Sequence, residues 1–139
     1  MASVANTETK IGIRSLCATV LVVDDNNIFR KTLLKFLKTQ FKSIKLLEAN
    51  IGSDAVKLVK ENVPDLIVMD INMPKMSGFE VVKQVKQEFP FIPIIILSNY
   101  NENEYRLAAK KALVDAYITK QNLVSELPDV IKELIATPF

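Results

Sequence analysis

Five short apolar runs alternate with amphipathic stretches, and this alternation constrains the fold more than any other feature. The runs are "ATVLVV", "SIKLLEA", "DLIVM", "IPIIIL" and "DAYIT", and each precedes a stretch with apolar residues at near-helical spacing. Continuous apolar runs are typical of strands that are covered on both faces. The sequence therefore predicts a doubly wound α/β fold, in which helices pack on both sides of a five-stranded parallel sheet.

Polar residues and prolines predict where the helices begin and end. Asn26 or Asn27 is a candidate N-cap for the first helix, and Ser53 is a candidate for the second. Pro128 lies within "LVSELPDVIKELI", where it must kink the last helix or mark its true start. Phe29 is more typical of core packing than of a cofactor site.

The composition excludes several kinds of site. Lys and Arg total 18 against 16 acids, and no basic run stands out, so we expect no direct contact with nucleic acid or a membrane surface. The chain has no histidine and one cysteine, Cys17, which argues against a zinc or copper site. The start "MASVANTETK" lacks an apolar signal segment, so we predict a cytoplasmic protein with a flexible extension at residues 1–17.

Four of the five predicted strands end in a polar, reactive side chain. Asp24 and Asp25 follow the first strand, Asp70 the third, Ser98 the fourth and Lys120 the fifth. The carboxyl ends of parallel strands share one edge of the sheet, where ligands bind. Each residue alone is typical of a turn or a solvated surface, but three converging carboxylates disfavour one another's ionisation. A divalent cation relieves this repulsion, and Mg²⁺ suits oxygen ligands.

The same edge has the groups that a phosphoryl acceptor needs. Lys120 offers a positive charge and Ser98 a hydroxyl donor, and both suit phosphoryl oxygens. A carboxylate beside Mg²⁺ is able to attack phosphorus, which predicts Asp70 as the acceptor. We expect Lys120 to pair with Asp70 before phosphorylation. Pro74 ends the strand, and Gly78 is expected to supply backbone freedom before the next helix.

The ordered segments "VLVVDDN", "EANIGSDAVKLV", "PDLIVMDINMPKMSGFEVV", "IIILSNY" and "DAYITK" resemble the receiver domain of two-component response regulators. The resemblance covers about residues 18–137. It implies a chemotaxis-regulator-like, flavodoxin-like fold with five helices and strand order 2-1-3-4-5. It also implies a phosphoacceptor regulator rather than an enzyme, although such a domain promotes its own phosphorylation and dephosphorylation.

The resemblance also implies residue roles. Asp70 is the phosphoacceptor, and Mg²⁺, for which Mn²⁺ can substitute, is held directly by Asp25, Asp70 and the backbone carbonyl of Asn72, and through water by Asp24. Ser98 and Lys120 contact the phosphoryl group, Ser98 and Tyr117 form the switch, and Asn72 and Tyr100 tune dephosphorylation. The implied partners are a sensor histidine kinase or phosphotransfer protein and, through the fourth helix, fifth strand and fifth helix, a second copy.

Three positions depart from the family pattern. Asn99 replaces a small residue and is expected to narrow access to the phosphate. Leu113 stands where a glycine often ends the fourth helix. Gln121 replaces a proline that often follows a cis peptide bond, so we predict a trans Lys120–Gln121 bond, with Asn122 capping the final helix.

Two other functions stay open from the sequence alone. One is a phosphatase with an aspartyl nucleophile, although such enzymes separate their two acids by one residue and here Asp24 and Asp25 are adjacent. The other is a receiver-like binding module that is never phosphorylated. Whether the chain is a stand-alone receiver or part of a longer regulator is equally open.

Overall fold

One parallel sheet organises the molecule. The computed structural model describes residues 17–100 and 103–135, so nearly all of the predicted extension lies outside the described residues. The strands are β1 (Thr19–Val23), β2 (Lys45–Ala49), β3 (Leu66–Asp70), β4 (Ile94–Ser98) and β5 (Ala116–Thr119). The helices are α1 (Asn27–Gln40), α2 (Gly52–Asn62), α3 (Gly78–Glu88), α4 (Asn103–Lys111) and α5 (Leu123–Ile135). The strand order is β2-β1-β3-β4-β5, which confirms the predicted fold.

The two faces of the sheet bury separate apolar clusters. In β3, Ile67 and Met69 pack with α2 and α3, whereas Leu66 and Val68 pack with α1 and α5. Every residue of β3 and β4 is buried, because helices cover both faces of the central strands. Within the described parts of the chain, no helix is both long and apolar enough to cross a membrane.

Side-chain caps fix the start of two helices, and one predicted cap is wrong. The Asn26 side chain accepts a hydrogen bond from the amide of Phe29 at 2.9 Å, which confirms the predicted cap of α1. Ser53 does not cap α2, because the chain stays extended only through Ile51 and the helix already begins at Gly52. Ser77 caps α3.

The chain enters the last helix through a short 3-10 turn over Lys120–Asn122. The predicted Asn122 cap is wrong: the Asn122 carbonyl accepts a hydrogen bond from Ser125, and no hydrogen bond to its side chain is found in the described part of the chain. Pro128 lies inside α5, so it does not mark the start of that helix. The described residues contain no cis peptide bond, which agrees with the predicted trans bond before Gln121.

Candidate functional site

Three carboxylates meet at the carboxyl edge of the sheet. Asp24 and Asp25 directly follow β1, and Asp70 is the last residue of the neighbouring strand β3. One carboxylate oxygen from each lies within 4.8 Å of the others. Asp24 and Asp70 are only 2% and 7% exposed, whereas Asp25 is exposed. The set offers hard oxygen ligands at one point, which is the donor chemistry that Mg²⁺ prefers.

Backbone amides and one ammonium hold the two buried carboxylates. Asp24 Oδ1 accepts a hydrogen bond from the Asn26 amide at 2.8 Å, and Asp70 Oδ1 accepts one from the Asn72 amide at 3.2 Å. Lys120 Nζ lies 3.0 Å from Asp24 Oδ2 and 3.7 Å from Asp70 Oδ2. Lys120 therefore forms the expected ion pair with Asp70, but its closer partner is Asp24.

Burial, more than the neighbouring charges, sets the pKa of Asp70. Burial raises the pKa of Asp70 from 3.8 to about 6, the Lys120 ammonium opposes this rise, and the charges of Asp24 and Asp25 add to it. One ammonium thus does not compensate three carboxylates. A divalent cation between the neighbouring oxygens of these three carboxylates would supply the missing positive charge.

Arg30 lies behind the cluster, and our sequence predictions missed it. Its guanidinium is buried and donates hydrogen bonds at 2.8 Å to the Asp24 carbonyl, to Glu48 of β2 and to the Asn27 side chain. Arg30 holds the pKa of Glu48 below its ordinary value, with Lys31 as the second cause. The helical spacing from Arg30 to Leu33 was the available signal, because it places the arginine on the buried stripe of α1.

The Phe29 ring contacts the site lysine, Lys120. The Lys120 ammonium lies 4.0 Å from the centroid of the Phe29 ring, which is a cation–π distance. Phe29 also packs against the apolar cluster between the sheet, α1 and α5. The predicted packing role is therefore confirmed, and the contact with Lys120 is a further role.

The remaining predicted site residues contact one another rather than the carboxylates. Ser98 is fully buried at the end of β4, and its hydroxyl accepts a hydrogen bond from the Tyr100 amide at 3.0 Å. The Tyr117 hydroxyl donates to the Tyr100 carbonyl at 2.6 Å. Among the residues that the structure describes, no hydrogen bond joins Ser98 to Asp70 or Lys120.

Gly78 supports Asp70 from the next helix. A Cβ atom at position 78 would lie 2.6 Å from the Asp70 carbonyl oxygen and 2.7 Å from the Ile71 Cα. No described glycine has a positive φ, so Gly78 provides close approach rather than the backbone freedom we predicted. The helix that follows the acceptor loop is thus packed directly onto the end of β3.

A family model described as response regulator receiver domain matches residues 20–132. The chain belongs to this family. YhcZ of Bacillus subtilis, an uncharacterized transcriptional regulatory protein, is 35% identical over 108 residues, which cover 78% of this chain and 50% of YhcZ. The response regulator protein VraR of Staphylococcus saprophyticus is 35% identical over 114 residues, which cover 82% of this chain and 54% of VraR.

Solved structures agree with this membership. A DNA-binding response regulator of the LuxR family from Staphylococcus aureus superposes with a TM-score of 0.78 at 27% identity, over 84% of this chain and 98% of that chain. The receiver domain described here spans about half the length of the curated relatives it matches. It is a receiver domain of the kind found in two-component response regulators.

One departure of this receiver from the family pattern lies at a position with an unusual backbone conformation. Leu113, where a glycine is common, adopts a left-handed backbone with φ of 65° two residues after the end of α4. That conformation favours glycine, which explains why glycine often occupies the position. The narrowing of the phosphate site by exposed Asn99 stays a prediction.

Proposed function

We propose that this receiver accepts a phosphoryl group on Asp70 from a histidine kinase or a phosphotransfer protein. The observation that carries the proposal is the environment of Asp70 at the end of the central strand. Its carboxylate lies within 4.8 Å of two others and 3.7 Å from the Lys120 ammonium. Such a carboxylate is a nucleophile that is already positioned and partly desolvated.

The transfer is an in-line displacement at phosphorus. A carboxylate oxygen of Asp70 forms the new bond to phosphorus while the bond to the donor imidazole nitrogen breaks and its electron pair leaves with the imidazole. Lys120 pairs with the phosphoryl oxygens after transfer. Asp25, Asp70 and the Asn72 carbonyl would hold Mg²⁺ or Mn²⁺ directly, with Asp24 acting through water. The ion would neutralise charge between nucleophile and phosphate.

Phosphorylation is proposed to switch the contacts of Ser98 and Tyr117. The Ser98 hydroxyl would exchange the Tyr100 amide for a phosphoryl oxygen. The Tyr117 hydroxyl, which bonds to the Tyr100 carbonyl at 2.6 Å, would release that contact and turn inward. Both contacts involve Tyr100, and we propose that Tyr100 and Asn72 tune dephosphorylation.

The surface of α4, β5 and α5 is the proposed face for pairing with a second copy. Leu107 of α4 and Val124 of α5 are large apolar side chains that are exposed, and Leu113 is exposed between α4 and β5. The curated relatives carry names of transcriptional or response regulators. With a net charge of +2, this receiver is proposed to control an output in the cytoplasm rather than to contact DNA itself.

Incubation with a small acyl phosphate and Mg²⁺ tests the proposal. We expect the chain to accumulate one phosphoryl group per molecule, measured by intact mass. A phosphatase with an aspartyl nucleophile would instead consume the acyl phosphate continuously. A binding module without phosphorylation would leave both the chain and the reagent unchanged, and either result would overturn the proposal.

A further inference from the structure

A groove of about 630 Å³ separates α3 from α4 and contains none of the candidate site residues. One wall is formed by residues of α3 at helical spacing, and the other by residues near the end of α4. The residues that line the groove are Phe79, Lys83, Lys86, Gln87, Ala108, Lys111 and Ala112. The groove therefore lies between α3 and α4 and shares no lining residue with the acidic cluster.

Small side chains on α4 create the space. Ala109 is the one residue that α4 buries among those described, whereas α3 buries four. Ala108 and Ala112 line one wall of the groove with methyl groups only, and the half-buried Phe79 ring lines the other wall. The floor is apolar and accessible, which is typical of a surface that another molecule covers.

The rim of the groove is positively charged. Lys83 and Lys111 are exposed on opposite sides. Lys86 is only 17% exposed, because its ammonium donates to the Ile92 carbonyl at 3.0 Å and lies 3.5 Å from Asp115. Among residues 17–100 and 103–135, no acidic residue lines the groove. An occupant must therefore combine apolar side chains with flanking negative charges.

We propose that this groove binds an acidic amphipathic helix of a partner protein. Apolar side chains one turn apart would cover Phe79 and the two alanines, and carboxylates at the edges of that stripe would meet Lys83 and Lys111. Nucleic acid fits less well, because the floor is apolar and the chain is nearly neutral overall. The proposal does not depend on phosphorylation of Asp70 and therefore stands apart from the proposed function.

Fluorescence anisotropy with a defined peptide tests the proposal. The probe is a labelled helical peptide of about four turns, with leucines spaced as in one apolar stripe and glutamates on both sides of it. The double variant Lys83→Glu/Lys111→Glu of the full chain should bind it at least about tenfold more weakly. The matched double variant Lys35→Glu/Lys42→Glu, which has the same net charge change at exposed positions elsewhere, should bind as the unchanged chain does.

A variant that fills the groove without changing the net charge gives a second test of the proposal. Ala108→Trp should also weaken binding, and circular dichroism verifies that each variant is folded. Absence of saturable binding to the unchanged chain overturns the proposal, as does equal weakening by the two double variants, which would show general electrostatic attraction. Self-association of the chain that is lost with Lys83→Glu/Lys111→Glu would make a second copy the occupant and would also overturn it.

Discussion

At the scale of single residues, ionisation of Asp70 destabilises the folded chain, and the same carboxylate is the proposed phosphoacceptor. Its pKa is about 6 in the folded chain and 3.8 as the ordinary value. The folded state thus binds a proton more tightly than the unfolded state, so ionising Asp70 destabilises the fold. This loss in the free energy of unfolding is absent below pH 4, grows as the pH rises to about 6 and is complete above it. The raised pKa corresponds to at most about 3 kcal/mol.

The variant Asp70→Asn should therefore be more stable than the unchanged chain when no metal is present. In EDTA at pH 8, urea unfolding should show a gain of about 1–3 kcal/mol in the free energy of unfolding. The gain should shrink as the pH falls toward 4, because the aspartic acid is then neutral in both states. A difference that is the same at both pH values would show that ionisation of Asp70 is not its cause.

Arg30 and Lys31 are neighbours that bind the same carboxylate, and their burial separates their contributions. Arg30 Nε and Lys31 Nζ lie 2.8 and 2.9 Å from Glu48 Oε1, but their side chains are 8% and 60% exposed. Arg30→Ala should lower the free energy of unfolding by about 2–3 kcal/mol, because the buried Asp24 carbonyl loses its donor. Lys31→Ala should change it by less than about 0.5 kcal/mol. Equal losses in denaturant titrations would contradict this distinction.

At the scale of elements, the junction between β3 and α3 depends on Gly78. Gly78→Ala forces a Cβ atom against the backbone of Asp70, so we expect a loss of about 2–3 kcal/mol in unfolding free energy and less phosphorylation. Gly52→Ala is the comparison, because the three heavy atoms nearest to its Cβ atom all belong to the Met76 side chain, with Cβ and Sδ at 2.9 Å and Cγ at 3.0 Å. The thioether can move but Met76 Cβ is attached to the backbone, so that loss should be about 1–2 kcal/mol and smaller than the loss at Gly78. Thermal and urea unfolding of both variants measure the contrast.

The end of α2 is strained by a β-branched residue. Val63 ends this helix with φ of 44° and is 42% exposed. Valine is poorly suited to the left-handed region, whereas asparagine tolerates it. Val63→Asn should raise the free energy of unfolding by about 0.5–1 kcal/mol. The same change at exposed Val124, within right-handed α5, should change it by no more than a few tenths of a kcal/mol, because valine and asparagine have similar helix propensities. Stabilisation at both positions would rule out backbone strain as the cause.

At the scale of the whole molecule, the sequence predicts the features that follow from short runs of buried residues and from the order of the strands. The run from Leu66 to Asp70 predicts a strand because every one of its residues is buried under helices on two faces. The convergence of Asp24, Asp70 and Lys120 follows from the same topology, since the carboxyl ends of parallel strands share an edge. The fold and this core of the candidate site were therefore accessible from the sequence.

Features that depend on contacts between distant segments were not accessible. Helical spacing indicates that Arg30 is buried, but only the fold brings its partner Glu48 of β2 beside it. In the sequence, Gly78 is typical of a turn residue, and its role becomes visible only where α3 packs against the end of β3. The hydrogen bond from the Tyr117 hydroxyl to the Tyr100 carbonyl likewise arises from the packing of β4 against β5. No local pattern specifies these distances, because each joins segments whose approach is fixed by the packed core.

The central claim is that Asp70 is the sole phosphoacceptor, and its most direct test is to locate the phosphoryl group. The chain and Asp70→Asn are incubated with a small acyl phosphate and Mg²⁺, and their intact masses and peptides are then analysed, with parallel samples in EDTA. We expect one phosphoryl group on the peptide that contains Asp70, none on Asp70→Asn, and little phosphorylation of either in EDTA. Undiminished phosphorylation of Asp70→Asn would contradict the account.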